Sequence, residues 1–207
     1  MNKVTVLAAS ILALGLIGVA PGARAGGSSE DEAFQKQVFG HPLATTNLYA
    51  CFSRAYDAGH LAQHPRQNVR TMLLLVTGDV SEANAPTYRL GLSVTFRKSG
   101  AHFESGGSCG SIHATDEAAT APKMAHCGVD CDGGSIDVAL RDANSVRVSI
   151  PVGARITRAG ATDQEPVDES RRFGSDDKVF RLDKTALSNC LRLANDDKEK
   201  AALRRGQ

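Results

Sequence analysis

The chain has 207 residues, 24 Lys and Arg against 23 Asp and Glu, and 42% hydrophobic residues, which fits one domain, or at most two small ones, and argues against global disorder. A net charge of +1 offers no field to attract nucleic acid. With no Trp and aromatics at 5%, ring-stacking sites for carbohydrate or single strands are disfavoured as well.

Residues 1–25 read as a secretory signal peptide. Lys3 supplies the positive start, the stretch 4–19 is uncharged and apolar, and Ala23-Arg24-Ala25 gives a small-x-small cleavage site. The apolar run is shorter than the ~20 residues that a bilayer requires. No Cys stands at the cleavage site and no Arg pair precedes the apolar run, so neither a lipoprotein nor twin-arginine export is indicated. Cleavage removes Lys3 and Arg24, leaving 22 basic residues against 23 acidic ones. A periplasmic or secreted protein is expected, with no membrane span in the mature chain and no nucleic-acid partner.

Residues 26–40 are small, polar and acidic and read as a flexible lead. A single disulfide-stabilised β-domain is expected over 41–193. Its first strand falls at 48–56, followed by a turn or one helical turn over 57–65. The apolar run Met72-Leu73-Leu74-Leu75-Val76 marks a strand bounded by Gly78-Asp79. In 88–97, Leu90, Leu92, Val94 and Phe96 alternate with polar residues, the pattern of a half-buried strand. Ser99-Gly100 turns into a short strand, 101–105, which Gly106-Gly107 end; 112–123 reads as a loop.

Asp132-Gly133-Gly134 is a turn signal before alternating Ile136, Val138 and Leu140, and Asp142-Ala143-Asn144 turns into Val146, Val148 and Ile150. A further short strand is expected over 153–158, a long charged loop over 160–177 and a last strand over 179–182. Residues 186–194 suit a short helix around Cys190, and 194–207 a charged, frayed tail. The fold class is mainly β: an antiparallel meander forming a sandwich or small barrel, with a short C-terminal helix. No βα alternation supports an α/β fold.

Cys51, Cys109, Cys127, Cys131 and Cys190 all follow the leader, so an oxidising compartment favours two disulfides and one leftover thiol. Cys109 and Cys127 flank one loop and make the preferred pair; Cys51 or Cys131 would then join Cys190. Cys109-x3-His113 with Cys127-x3-Cys131 also resembles a zinc ligand set, but oxidation of the thiols competes in that compartment.

Other motifs carry weaker chemistry. Gly106-Gly107-Ser108-Cys109-Gly110 matches the nucleophile elbow G-x-S-x-G, yet no helix pattern follows Ser108. Asp130, Asp132 and Asp137 surround Gly133-Gly134 like part of a calcium loop, without its late bidentate Glu; a hairpin turn explains the same residues. Asp57, His60 and His64 would share one face of a helix and are candidates to bind a ligand or metal, or to form a capped turn. Arg54, Arg66 and Arg70 add local positive charge of the kind usual on a solvated face.

The stretch 51–69, the segment Cys127-Gly128-Val129-Asp130-Cys131-Asp132-Gly133-Gly134 and Phe180-Arg181-Leu182-Asp183 together resemble an uncharacterised family of exported proteobacterial proteins. The resemblance implies export and brings no activity. The expected function is a non-enzymatic ligand- or protein-binding module of the envelope, without a cofactor, using an apolar cup or a sheet edge. An envelope protein of purely structural role and a small hydrolase or metal-dependent enzyme, using Asp57, His60 and His64 or Ser108, are the alternatives.

Overall fold

The computed structural model describes residues 29–44, 46–81, 85–114, 123–130, 132–160 and 172–206. The signal peptide expected over 1–25, Cys131 and most of the loop expected over 160–177 lie outside the described residues.

The described chain begins with helix α1, Ser29–Phe39, where a flexible lead was expected. Glu30, Asp31 and Glu32 sit in its first turn and Lys36 in its last, each favoured by the helix dipole. Gly40, at φ 93°, ends it, its N–H returning to the Lys36 carbonyl. The helix owes its place to Phe34 and Val38, four residues apart on one face and fully buried.

Nine antiparallel strands follow among the described residues: β1 Leu48–Ala55, β2 Val69–Val80, β3 Pro86–Phe96, β4 His102–Ala114, β5 Lys123–Val129, β6 Ser135–Asp142, β7 Ser145–Ser149, β8 Thr157–Arg158 and β9 Val179–Thr185. Their order is β3-β2-β1-β9-β7-β6-β5-β4, and a β3–β4 pairing closes an eight-stranded barrel. Of the two expected architectures, the barrel is therefore the one formed.

Closure depends on β4, which pairs with β3 along one edge and with both β8 and β5 along the other. Gly106 and Gly107 do not end this strand; they pair in register with Gly91 and Leu90 of β3. A Cβ on Gly107 would lie 1.8 Å from the Gly128 carbonyl oxygen, so the backbones meet there only without a side chain. Strand β5 occupies what reads as the approach to a turn, with Ala125, Cys127 and Val129 buried and alternate residues facing out.

Inward side chains fill the barrel: Phe52, Leu74, Leu92, Val94, Phe103, Ile136, Val138, Val148 and Leu182 are among its buried core. Eight strands leave an interior just wide enough for this. Helix α1 shuts one end with Phe34 and Val38. Phe96, Phe103, Phe173 and Phe180 pack at the other, with ring centroids 5.3–6.5 Å apart. Buried side chains thus occupy the interior where an apolar cup was expected, and among the described residues closure pairs every barrel strand on both sides.

A second cluster lies outside the wall. A 3₁₀ helix, Leu187–Leu193, and helix α3, Asp197–Arg205, cover the outer face of β1 and β2, burying Cys51, Leu75, Cys190, Leu193 and Leu203. The expected frayed tail is instead a capped helix. The Asp196 side chain accepts from the Glu199 N–H at 2.7 Å, and Gly206, at φ 76°, closes the far end. A disulfide, Cys51–Cys190, ties this cover to the barrel, and Cys109–Cys127 joins neighbours on β4 and β5. Another short helix, α2, spans Ala58–Gln63.

The α1 seal contains one polar link. Buried Gln35 donates to the Tyr88 hydroxyl at 2.7 Å and accepts from the Leu43 N–H at 2.8 Å, and Tyr88 donates to Asp31. Burial pushes the Tyr88 hydroxyl far up, so it stays a donor. Replacing Gln35 with Ala strands the Leu43 N–H and is expected to cost about 2 kcal/mol in urea unfolding, with an unchanged m-value.

Candidate functional site

The outer faces of β2, β3 and β4 carry aligned cross-strand ranks. The middle rank is Leu75, Gly91 and Gly106; Thr77, Arg89 and Ser108 lie to one side, and Leu73, Ser93 and Glu104 to the other. Because Gly91 and Gly106 have no side chains, the middle rank is a trough. The C-terminal cover passes over it with Arg192, Leu193, Asn195 and Glu199, enclosing a cleft of about 360 Å³. Leu193 covers Gly91, where a Cβ would stand 3.4 Å from the leucine Cβ. A Cβ on Gly106 would meet only the Leu90 carbonyl oxygen, at 3.3 Å. Gly106 is therefore the open part of the floor.

Opposite charges line both flanks. Glu199, only 4% exposed, accepts from the Thr77 hydroxyl at 3.0 Å and from the Asn195 N–H at 2.8 Å. Arg89 approaches it at 3.7 Å. On the other flank, Arg192 Nε donates to Glu104 at 3.2 Å. Asp130 and Ser108 complete the rim. Beyond Glu104, His102 Nδ1 lies 3.4 Å from the Ser93 hydroxyl. Burial, aided by Arg192 and opposed by Glu104, holds His102 below the usual imidazole range, so it is neutral at neutral pH. Ser93 is 2% exposed and lies with His102 along a second depression, of about 310 Å³, that Arg54 and Arg192 also line.

The sequence candidates are distributed differently. Asp57 caps α2, its carboxylate accepting from the His60 N–H at 2.7 Å. His60 and His64 stack with centroids 4.4 Å apart, His60 also stacks on Tyr56 at 4.6 Å, and His60 Nε2 meets Gln67 at 3.1 Å. Arg97 donates to the Leu61 and His64 carbonyls at the end of this helix. These residues build a capped, ring-stacked turn.

Asp130, Asp132 and Asp137 are not gathered into one site. Asp130 sits on the cleft rim, Asp132 takes a turn position at φ 56°, and Asp137 on β6 pairs with His126 on β5. Among the described residues, no three His, Cys, Asp or Glu side chains form a group that could hold a metal ion. Both cysteine sulfurs of the described zinc candidates are in the Cys109–Cys127 disulfide. Ser108 lies mid-strand, opposite Arg89 and Gly128, rather than on a strand-to-helix turn. Arg54 holds Asp183 at 3.1 Å and Arg66 holds Asp176 at 3.1 Å.

The cleft thus brings together Ser108 and Asp130 from the sequence candidates with Arg89, Glu104, Arg192 and Glu199, which no spacing pattern marks. The one local sign was a glycine inside an otherwise regular strand, Gly91, since such a glycine often marks a close approach. No protein family, curated protein or solved structure matches the chain.

Proposed function

We propose that this is an exported, disulfide-stabilised barrel that binds a small zwitterion, an amino acid or short peptide, in the cleft beneath its C-terminal cover. The observation that carries this reading is the glycine floor flanked by Arg89–Glu199 and Arg192–Glu104. Partly exposed ion pairs contribute only about 0–1 kcal/mol, so Arg192 and Glu104 can exchange each other for a ligand's charges at little cost. A ligand with a single charge satisfies one partner and strands the other; one with a carboxylate and an ammonium satisfies both. The cleft volume is at the small end of the ~300–1,000 Å³ typical of ligand pockets.

The lining suits binding: it presents guanidinium and carboxylate groups on both flanks of an open glycine floor. Export is supported by the two disulfides, which suit an oxidising compartment, and by the leader-like residues 1–25. No described helix is long and apolar enough to cross a membrane. The barrel wall turns Arg89, Glu104, Asp137, Arg147 and Arg181 outward, the reverse of the lipid-facing apolar band of a membrane barrel. The resemblance to exported proteobacterial proteins belongs to the same reading.

Calorimetric titration of the mature protein with free amino acids and dipeptides tests it. Saturable binding is expected. Gly106→Leu, which fills the open floor, should weaken it at least about tenfold, the equivalent of about 1.4 kcal/mol. Binding that survives Gly106→Leu would place the ligand elsewhere, and no binding across the panel would remove the proposal.

A further inference from the structure

The wall opposite the cleft is made by β6, β7 and β9, and it collects positive charge. Arg147 and Arg181 are direct cross-strand partners, and Arg147 also faces Ala139 on β6. The register of β6 slips between Leu140 and Asp142, leaving Arg141 as the extra, outward residue of a bulge. All three arginines line one depression of about 310 Å³, together with Val179, which is 57% exposed.

Nothing in the fold requires this arrangement. Like charges placed directly opposite each other on a sheet destabilise it. The nearby carboxylates are engaged. Asp183 accepts from Arg181 at 2.9 Å with one oxygen and from Arg54 at 3.1 Å with the other. Asp142 accepts from the Ser145 hydroxyl at 2.7 Å and from the Asn144 N–H at 2.9 Å. Arg147 forms no hydrogen bond or ion pair with a described residue. The depression is therefore rimmed by three guanidinium groups: Arg181 turns Nε and Nη2 to Asp183 at 3.0 and 2.9 Å, Arg141 and Arg181 both help to hold the nearby Asp142 carboxyl low, and among the described residues Arg147 has no acidic partner.

We infer that Arg141, Arg147 and Arg181 form a binding site for a compact dianionic oxyanion of the phosphate-monoester class. Guanidinium groups match tetrahedral oxyanions through paired N–H donors. The forks of Arg141 and Arg147, on neighbouring strands, and the remaining Nη1 of Arg181 offer donors on three sides, which suits the three terminal oxygens of a monoester better than the two of a carboxylate. Such an anion also relieves the repulsion between Arg147 and Arg181, so the charges destabilise only the empty site.

The ester can be soluble or can be a lipid headgroup, and two arms separate these sources. In the first, glycerol 3-phosphate is titrated into the mature protein. In the second, the protein is sedimented with phosphatidylcholine vesicles, with and without phosphatidic acid. Saturable binding in the first arm assigns a soluble ester; binding confined to the phosphatidic acid vesicles assigns a headgroup. In either case binding should weaken as salt rises and fall at least about tenfold in Arg147→Gln, with a smaller loss in Arg147→Lys, which keeps the charge but not the fork. Gly106→Leu, on the other wall, should leave it unchanged. In the unliganded protein Arg147→Gln should melt no lower than wild type, which separates loss of the site from loss of the fold. Absence of saturable binding in both arms, or full affinity in Arg147→Gln, overturns the assignment.

Discussion

The Cys51→Ala, Cys190→Ala double variant is expected to lose about 3–5 kcal/mol of stability, with the loss concentrated in the C-terminal cover. The bond spans 139 residues. In the chain-entropy account, closing a loop of that order restrains the unfolded chain by nearly 5 kcal/mol, against about 3 kcal/mol for a loop the size of the one closed by Cys109–Cys127. The folded state has an equal interest in it. The cover is a 3₁₀ helix and a short α-helix whose buried apolar contacts are Leu75, Leu193, Leu203 and the two cysteines. That is little area to hold two segments against a barrel wall. Without the bond, amide exchange should accelerate first over 187–205 and only later in β1, β2 and β3. The same variant should weaken zwitterion binding, because Arg192, Leu193 and Glu199 reach the cleft only while the cover is seated. Unchanged stability in urea, or exchange that rises evenly across the chain, would contradict this account.

Strands β3, β6 and β7 were legible because their alternation has period two and one face meets the core: Leu90, Leu92 and Val94, then Ile136 and Val138, then Val146 and Val148 are all buried. Whether those strands close was not legible. Closure turns on one strand, β4, serving three neighbours, and Gly106-Gly107 at its middle looks like a terminator in a linear reading. Helix α1 was hidden for a different reason. Its apolar content is Phe34 and Val38 with a phenylalanine at the end, too little for an amphipathic stripe; the barrel mouth supplies the rest of the reason to fold. Helix α3 did carry a local sign, Asp196 three residues before Glu199 with Gly206 after it, a cap at each end.

The candidate sites divide along the same line. Asp57 with His60 and His64, and Asp130 with Asp132 and Asp137, stand close in sequence, and closeness in sequence mostly serves local backbone: a helix cap, a ring stack, a turn. Apart from Asp130, which follows β5, the charges of the cleft come from β3, β4 and the C-terminal cover. Arg192 meets Glu104 across 88 positions, and Thr77 meets Glu199 across 122. Such partners are joined by strand register and by a disulfide-held fold-back, neither of which leaves a spacing pattern. The arginine face is similar: Arg147 and Arg181 are ordinary solvated residues until their register makes them partners.

Replacing Asp177 with alanine should destabilise the protein by at least about 3 kcal/mol, since each buried donor left without a partner costs about 1–3 kcal/mol. Asp177 is fully buried at the aromatic end of the barrel. Its carboxylate accepts from the Asn68 N–H at 2.7 Å, the Val69 N–H at 3.2 Å and the Gly174 N–H at 2.7 Å. It thereby fixes the start of β2 and the loop that carries Phe173 into its contacts with Phe96 and Phe180. Alanine strands all three donors at once and frees the plug.

The group also has an unusual sign with pH. Burial pushes the Asp177 carboxyl up, and this outweighs the three N–H donors and the Arg97 charge, which favour the ionised form. A carboxyl whose pKa is higher folded than unfolded holds its proton better in the folded state. Its linkage term is fully present below the unfolded pKa, near 3.9, and is lost as pH rises through the folded value. The stability difference between wild type and Asp177→Asn should therefore grow from about pH 7 to about pH 4, opposite to the trend of a salt-bridged aspartate. Urea unfolding of both proteins across that interval checks it, and a difference that shrinks toward acid would mean that the N–H donors, not burial, govern this carboxyl.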